Sequence, residues 1–316
     1  MPSPRFRLLL VALLAAGLLG CDTTATQPEP QVVVEAYLRA QAPLPPVRLT
    51  QTIPVSGTFR PRQAGISGAD VRIDRLTDDS TVAETTVYTE TDSVPGLYAP
   101  TTAPVVRPEA TYRLRAETPD GDRLRATTTV PDSIPLVEVE NDTTAYQSDN
   151  QPAFTIEPPR ALTDRQNVYT FTTTSLLDFE GLPDSTLRAA LTPFYREDLD
   201  DDSLKTLRVI SSGLLNEGNF EQNADGTITV DLPWLAVAFL GPNRVAINVV
   251  DDNYYDLLRS QQAQQSSFAP GEIPNVIEHV EGGTGVFGSY AQAAAGVLVT
   301  PAPCGGVTST PAAAWA

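Results

Sequence analysis

Proline occurs so often in this chain that long uninterrupted helices are excluded over most of its length. The 316 residues include 28 prolines and 20 glycines, together with abundant threonine and valine. Proline lacks the amide hydrogen that a helix interior needs, whereas β-branched residues are favoured in strands. The sequence therefore predicts a mostly β protein built from many short strands.

Residues 31–131 carry the alternation of apolar and polar residues that is typical of half-buried strands. Val32–Arg39 and Val47–Ile53 flank a proline-rich turn, and Thr111–Thr118 and Asp122–Val130 flank the turn Pro119-Asp120-Gly121. About seven strands, spaced about a dozen residues apart, predict an N-terminal β-sandwich domain of the immunoglobulin-like or transthyretin-like kind.

Residues 137–300 are predicted to form a second β-rich domain with one short helix. Strand-like runs recur there, and Asp225-Gly226 marks a hairpin turn. Residues 178–203 are expected to form a long loop. The helix is predicted over Asn253–Gln265, with Asp251 or Asp252 as its N-cap. Residues 301–316 are expected to be a C-terminal tail.

The first 21 residues predict how the protein is held in place. Arg5 and Arg7 precede the apolar run Leu8–Leu19, and a glycine stands before Cys21. The run is shorter than the 20 or so residues that span a bilayer, and it matches a signal-peptide core. We therefore expect residues 1–20 to be a lipoprotein signal peptide and membrane lipid to be attached at Cys21. The alternatives are an ordinary secreted protein with a chance cysteine and a short anchor that is not cleaved.

Residues 21–30 are polar and rich in proline and threonine, so they are expected to form a flexible tether behind the lipid. Asp22, directly after the lipidated cysteine, is compatible with retention at the inner membrane and with export to the cell surface. Whether the protein faces the periplasm or the surface therefore stays open. Because Cys21 is used for the lipid, Cys304 has no intrachain partner, and no disulfide framework is expected.

The charge balance restricts the partners of the folded part. The chain contains 39 acidic and 21 basic residues, a formal net charge of −18. A fold this negative repels nucleic acid and anionic lipid headgroups, so we exclude both as its partners.

No catalytic constellation stands out in the sequence. His279 is the sole histidine, and no G-x-S-x-G elbow accompanies it, which argues against a Ser-His-Asp hydrolase. One histidine and one free cysteine fall short of a zinc ligand set. A carboxylate pair for glycoside hydrolysis stays open among so many acids, but nothing marks one. We therefore predict a protein that is not an enzyme and binds no cofactor.

Three aspartates, Asp198, Asp200 and Asp202, have the spacing of a calcium loop. Ser203 stands where the loop needs its glycine, and Val209 where it needs its glutamate. The sequence favours a solvated acidic loop, with a calcium site as the weaker alternative.

The stretch Gly283–Gly288 satisfies the pattern G-x-G-x-x-G of dinucleotide-binding proteins. No βαβ unit surrounds it, and an alanine-rich segment follows where a helix N-terminus is required. A turn or a tight strand crossing is the favoured interpretation.

Aromatic side chains are candidates for a surface on which a sugar or peptide stacks. They are Tyr254 and Tyr255 on the predicted helix, with Trp234 and Trp315. Adjacent helical tyrosines point to different faces, so one is expected in the core and the other as a contact residue.

The chain resembles, over nearly all of its mature length, a family of Gram-negative outer-membrane lipoproteins known as domain of unknown function 4249. The shared features are the lipoprotein signal, a first strand like VVVEAYL, a G-x-Y before the sandwich hairpin, a tyrosine-bearing helix and a glycine-rich stretch near the end. That stretch comprises Asn275, Gly282, Gly283, Gly285, Phe287 and Gly288. His279–Glu281 is an extra segment between its Asn and its glycines.

The resemblance implies where the protein is located and what its partner is, but it implies no catalytic activity. Members are often encoded beside TonB-dependent transporters, and the family has no assigned catalytic residue. We expect a lipid-anchored outer-membrane protein that serves as a non-enzymatic accessory or binding component of a TonB-dependent uptake system, with the β-barrel transporter as its partner. A structural or adhesive cell-envelope protein is the alternative.

Overall fold

The computed structural model describes residues 29–53, 60–161, 165–178, 183–198, 207–266 and 277–302. Eighteen strands and four α-helices lie in these residues. The strands are β1 Val32–Arg39, β2 Val47–Gln51, β3 Asp70–Leu76, β4 Val82–Glu90, β5 Leu97–Pro100, β6 Thr111–Glu117, β7 Arg123–Thr129, β8 Leu136–Glu140, β9 Thr143–Ala145, β10 Ala153–Ile156, β11 Val168–Ser175, β12 Val209–Ser211, β13 Leu215–Asn216, β14 Glu221–Gln222, β15 Ile228–Asp231, β16 Gly241–Val250, β17 Val280–Glu281 and β18 Thr284–Thr300. The helices are α1 Pro61–Ala64, α2 Asp184–Ala190, α3 Pro193–Asp198 and α4 Asp252–Ser266.

Most of the strands belong to one mixed sheet. Its order is β12-β11-β16-β18-β1-β2-β5-β4-β3-β6-β7-β17, with β13 also paired to β11 and β9 to β18. β1 pairs in parallel with β18, from Val33 opposite Thr284 to Arg39 opposite Tyr290. The first strand of the predicted sandwich therefore shares a sheet with the last strand of the described chain, while the predicted division into domains stays a prediction.

Strands from the N-terminal part of the sheet share one apolar core with β18. Buried side chains of β1, β2, β3, β6, β7 and β18 belong to one apolar cluster, which includes Val34, Leu49, Ile73, Leu114 and Phe287. Because alternate residues of a strand point to opposite faces, β1, β6 and β7 bury one face and leave the other more exposed, whereas β18 is buried on both faces from Val286 to Ser289. The predicted mostly β fold with a sandwich-like N-terminal part is confirmed.

A second, four-stranded sheet covers the C-terminal part of the core. Its order is β14-β15-β10-β8, and Phe154 and Ile156 of β10 lie in the same apolar cluster as Phe171 and Ile247. The second β-rich part is thus built by packing a small sheet against β11, β16 and β18.

The predicted local elements are confirmed. β6 and β7 form the hairpin around Gly121, and β14 and β15 flank the turn at Gly226, whose φ is +89°. The predicted helix is α4, which begins one residue earlier and ends one residue later than expected. None of the described helices is long and apolar enough to cross a membrane.

The prediction of a loop over residues 178–203 is wrong for part of that stretch. α2 and α3 occupy 13 of its residues, since α2 has 7 and α3 has 6. Pro183 is the N-cap of α2, and α3 begins at Pro193. Proline is well tolerated at helix starts, so these prolines begin helices where we expected only loop.

Several predicted residues lie outside the described residues. They are Cys21, Asp200, Asp202, Asn275, Cys304 and Trp315. The lipid attachment, the tether before residue 29 and most of the calcium-loop candidate therefore stay predictions.

Candidate functional site

The start of α4 is fixed by a buried polar cluster that joins three distant segments. Asp251 Oδ1 accepts hydrogen bonds from the backbone N–H groups of Tyr254, at 2.9 Å, and of Ser289, at 3.0 Å. Its Oδ2 accepts one from the Thr128 hydroxyl, which also lies 2.7 Å from Ser289 Oγ. Asp251 is therefore the N-cap, as one of the two predicted alternatives, and it also ties β7 and β18 to the helix.

Burial changes the acidity of this carboxyl group. Asp251 is 5% exposed, and its desolvation raises the pKa to about 6, although the hydrogen bonds from Thr128, Ser289 and Tyr254 act in the opposite direction. The carboxyl group adjoins a cleft of about 220 Å³ that Arg165 and Asp252 also line. The pKa of Asp251 therefore lies well above that of an ordinary aspartate.

The glycines of the family-like motif allow backbones to approach closely. A Cβ on Gly282, whose φ is +78°, would lie 1.9 Å from the carbonyl oxygen of Arg123. On Gly283 it would lie 2.5 Å from the Val32 oxygen. Gly285, with φ +109°, would place it 2.1 Å from the Val34 oxygen. The predicted alternatives are a turn or a tight strand crossing. Gly282 lies in the turn between β17 and β18, Gly283 and Gly285 lie against the backbone of β1, and only glycine fits these positions.

The last two motif residues face opposite sides of β18. Phe287 is fully buried in the core, whereas a Cβ on Gly288 would meet Tyr254 Cβ at 3.0 Å. Gly288 thus leaves room for α4 to pack on the outer face of the sheet. Because β18 continues through the motif to Thr300, no helix follows the glycines, and the dinucleotide interpretation has no structural support.

Three tyrosines form a patch where α4 meets this outer face. The Tyr254 ring lies 4.9 Å from that of Tyr37 on β1 and 6.2 Å from that of Tyr290 on β18. Tyr255 instead lies under the guanidinium of Arg165, 4.3 Å from its ring centroid. The two adjacent tyrosines do point apart, but both are half-buried, so neither is a core residue.

Trp234 belongs to a different aromatic cluster, at an open groove. Its ring lies 5.3 Å from Tyr146 and 6.0 Å from Phe194, which is 42% exposed. The groove consists of two adjoining cavities of about 810 and 400 Å³ that share Ser212, Leu215, Asn219, Pro233 and Ala236. Among the described stacking candidates, Trp234 therefore lies in a cluster beside the groove, apart from Tyr254 and Tyr255 on α4.

His279 is paired with an acid on α4. Its Nε2 lies 2.8 Å from Asp256 Oδ2, and the imidazole is 32% exposed. Within the described ranges no serine, threonine or cysteine side chain hydrogen-bonds to it, and the neighbouring Thr284 hydroxyl donates to Glu278. The arrangement orients a histidine without presenting a nucleophile.

The structure describes one of the three aspartates proposed as a calcium site. Asp198 is the last residue of α3, while its two partners lie outside the described residues. In the part of the chain that is described, no group of three His, Cys, Asp or Glu side chains is arranged to hold a metal ion.

Sequence reasoning missed the buried cluster of Thr128, Asp251 and Ser289. The sequence did predict Asp251 as one of two candidates for the helix N-cap. Thr128 and Ser289 are 161 residues apart in the chain, and no spacing pattern links hydroxyl residues at such a distance.

Comparison with known proteins identifies a family model. The model described as Domain of unknown function (DUF4249) matches residues 21–295. No curated protein matches the chain with significant similarity.

Among solved structures, the chain is similar to bacterial alpha-2-macroglobulins. Trypsin-activated alpha-2-macroglobulin from Escherichia coli is 13% identical over 70% of this chain and 14% of that chain, with a TM-score of 0.20. The Salmonella protein reacted with methylamine is 12% identical over 86% of this chain and 15% of that chain, with a TM-score of 0.23. This chain therefore spans less than a quarter of those proteins, and likeness at these TM-scores carries no argument.

Proposed function

Because the chain belongs to the DUF4249 family, we propose that it is an outer-membrane lipoprotein and a non-enzymatic accessory or binding component of a TonB-dependent uptake system. The observation that carries the proposal is the order of features in residues 5–21: two arginines, a short apolar run, a small residue and Cys21. This is the pattern of a lipoprotein signal. The family match begins at the same cysteine.

The short connection between lipid and fold supports a role at the membrane. Eleven residues lead from Cys21 to Val32, the first residue of β1. A fully extended chain of this length reaches at most about 40 Å. The anchored fold would therefore stay within contact distance of a barrel in the same membrane.

The open groove supports a binding role. Exposed Phe194 and half-buried Tyr195 line it together with Leu215 and Leu235. Tyrosine and phenylalanine supply large, rigid contact surfaces in binding sites. His279 is paired with Asp256, and no described hydroxyl group is hydrogen-bonded to it, so this pair gives no comparable support to hydrolysis.

The anchor is tested with Cys21→Ser. The unsubstituted protein is expected to incorporate a radiolabelled fatty acid and to sediment with outer membranes. The serine variant is expected to do neither, because serine has no thiol to accept the diacylglyceryl group. Labelling of the serine variant, or no labelling of either protein, would remove the lipoprotein proposal.

The partner is tested by cross-linking the protein in its own membranes, then purifying it and identifying what accompanies it. We expect a TonB-dependent β-barrel in near-equal amount, and much less of it with the Cys21→Ser variant. Recovery of the protein alone after efficient cross-linking would contradict the uptake role. It would favour a stand-alone structural or adhesive protein.

A further inference from the structure

Two arginines from different strands converge on one neutral oxygen atom on the outer face of the sheet. Arg39 Nη1 donates a hydrogen bond to Gln292 Oε1 at 3.1 Å, and Arg244 Nη2 donates to the same oxygen at 2.6 Å. Arg39 lies on β1, Gln292 on β18 and Arg244 on β16, so the three residues span three adjacent strands. The two cationic groups are held together by an acceptor that carries no charge.

The same molecule shows how such a pair of arginines is normally compensated. Arg113 and Arg115 also lie close together, and both bind the carboxylate of the buried Asp74, at 3.2 and 2.8 Å. No described carboxylate lies within 4.0 Å of Arg39 or Arg244, and neither has a further hydrogen bond or ion pair. In a chain of net charge −18, two neighbouring arginines without an acid form a local site for an anion.

The shared acceptor is held rigidly in place. Gln292 Nε2 donates to Asn248 Oδ1 at 2.8 Å, and Asn248 Nδ2 donates to the backbone oxygen of Thr170 at 3.3 Å. Asn248 is 5% exposed. This chain of hydrogen bonds fixes the direction of the Gln292 amide, so that its oxygen faces the arginines. The arginines are thereby positioned before any ligand arrives.

The tyrosine patch continues the same face. Tyr290 lies opposite Arg39 in the sheet register and two residues before Gln292, and Tyr37 lies two residues before Arg39. Residues two apart in a strand share a face. In the described structure the hydroxyl groups of Tyr37, Tyr254 and Tyr290 have no hydrogen-bond partner, so they remain available as donors. Desolvation, with a smaller effect from Glu35, raises the pKa of Tyr37, which keeps its hydroxyl protonated.

We propose that Arg39, Arg244 and Gln292 form a binding site for the carboxylate of a ring-bearing acid, with Tyr290 and Tyr254 as the surface for the ring. Arginine is the residue best suited to a carboxylate, since its planar guanidinium can donate two parallel hydrogen bonds. Tyrosine faces stack against sugar or aromatic rings. A uronic acid has both features. The site lies apart from the groove and does not depend on the lipid anchor or on the transporter.

The test compares D-galacturonate with D-galactose, which has a neutral hydroxymethyl group in place of the carboxylate. Binding to the mature protein in detergent micelles is measured by calorimetric titration at constant ionic strength. We expect saturable binding of galacturonate and none of galactose. The double variant Arg39→Gln, Arg244→Gln is expected to bind galacturonate at least tenfold more weakly, whereas Arg125→Gln, on the exposed face of β7, keeps the full affinity. Equal binding of both sugars, or unchanged binding by the double variant, would overturn the proposal.

A second variant separates ligand binding from folding. Gln292→Glu places a carboxylate between the two arginines, as Asp74 lies between Arg113 and Arg115. We expect its melting temperature to equal or exceed that of the unsubstituted protein and its galacturonate binding to be lost, because the site already holds its anion. A stable Glu variant that still binds galacturonate would refute the site.

Discussion

At the scale of single residues, Asp251 combines a capping role with an unfavourable location. Its carboxyl group accepts hydrogen bonds from Thr128, Tyr254 and Ser289, yet it is almost completely removed from water. Desolvation disfavours the charged form more than these bonds favour it, so the folded-state pKa is about 6 against an ordinary value of 3.8. The capping role was predictable from the sequence. The burial was not, because it depends on β7 and β18, which are distant in the chain.

This raised pKa makes the stability depend on pH. A group whose pKa is higher in the folded state stabilises the fold below its unfolded pKa, and the contribution is lost as the pH rises through the folded pKa. The contribution of Asp251 should therefore be complete below about pH 4 and should be lost as the pH rises through about 6. Two pKa units correspond to about 3 kcal/mol.

Asp251→Asn should remove this dependence, since asparagine keeps a capping oxygen but carries no charge. Relative to the unsubstituted protein, we expect the variant to gain up to about 3 kcal/mol of stability between pH 4 and pH 7. Urea unfolding at several pH values measures the difference. A difference that stays constant over this range would contradict the assignment.

At the scale of elements, the glycines at the start of β18 decide whether it can pair with β1. Gly285 has a left-handed φ and lies against the Val34 carbonyl, so a side chain there has neither the conformation nor the space it needs. A Cβ on Gly296, in the same strand, would have no atom within 4 Å beyond its chain neighbours. Gly296 therefore serves as the control position for a substitution at Gly285.

Gly285→Ala is expected to lower the free energy of unfolding by about 3 kcal/mol, through backbone strain and the loss of close pairing with β1. Gly296→Ala should change it by no more than about 0.5 kcal/mol. Chemical denaturation of both variants provides the comparison. Similar effects at the two positions would show that the close approach has no energetic importance.

The elements also show what sequence patterns can predict here. The hairpins around Gly121 and Gly226 were predictable because their turn residues and strands are adjacent in the chain. The pairing of β1 with β18 was not, because about 250 residues separate partners such as Val33 and Thr284. The site of Arg39 and Arg244 depends on that pairing and was missed for the same reason.

At the scale of the whole molecule, one continuous core and one long sheet connect the two predicted domains. Phe287 and Val280, from the C-terminal part, are buried in the same cluster as Val34 and Leu124. Such sharing predicts a single cooperative unfolding transition, since neither part can lose its structure without exposing apolar residues of the other.

A fragment of residues 31–131 tests this directly. Without β17 and β18 it lacks Phe287 in its core and leaves one edge of β1 unpaired, so we expect it to remain largely unfolded. Dispersion of its amide proton resonances in NMR spectra is the measurement. A well-dispersed spectrum would instead support the predicted boundary after residue 131 and an independently folding sandwich.

The parallel pairing of β1 with β18 also sets the order of events while the chain is being made. β1 is synthesised about 250 residues before the segment of β18 that pairs with it. Contacts this far apart close late and slowly. Until then the nascent polypeptide carries an open strand edge and an unfilled core, a state that needs protection from aggregation.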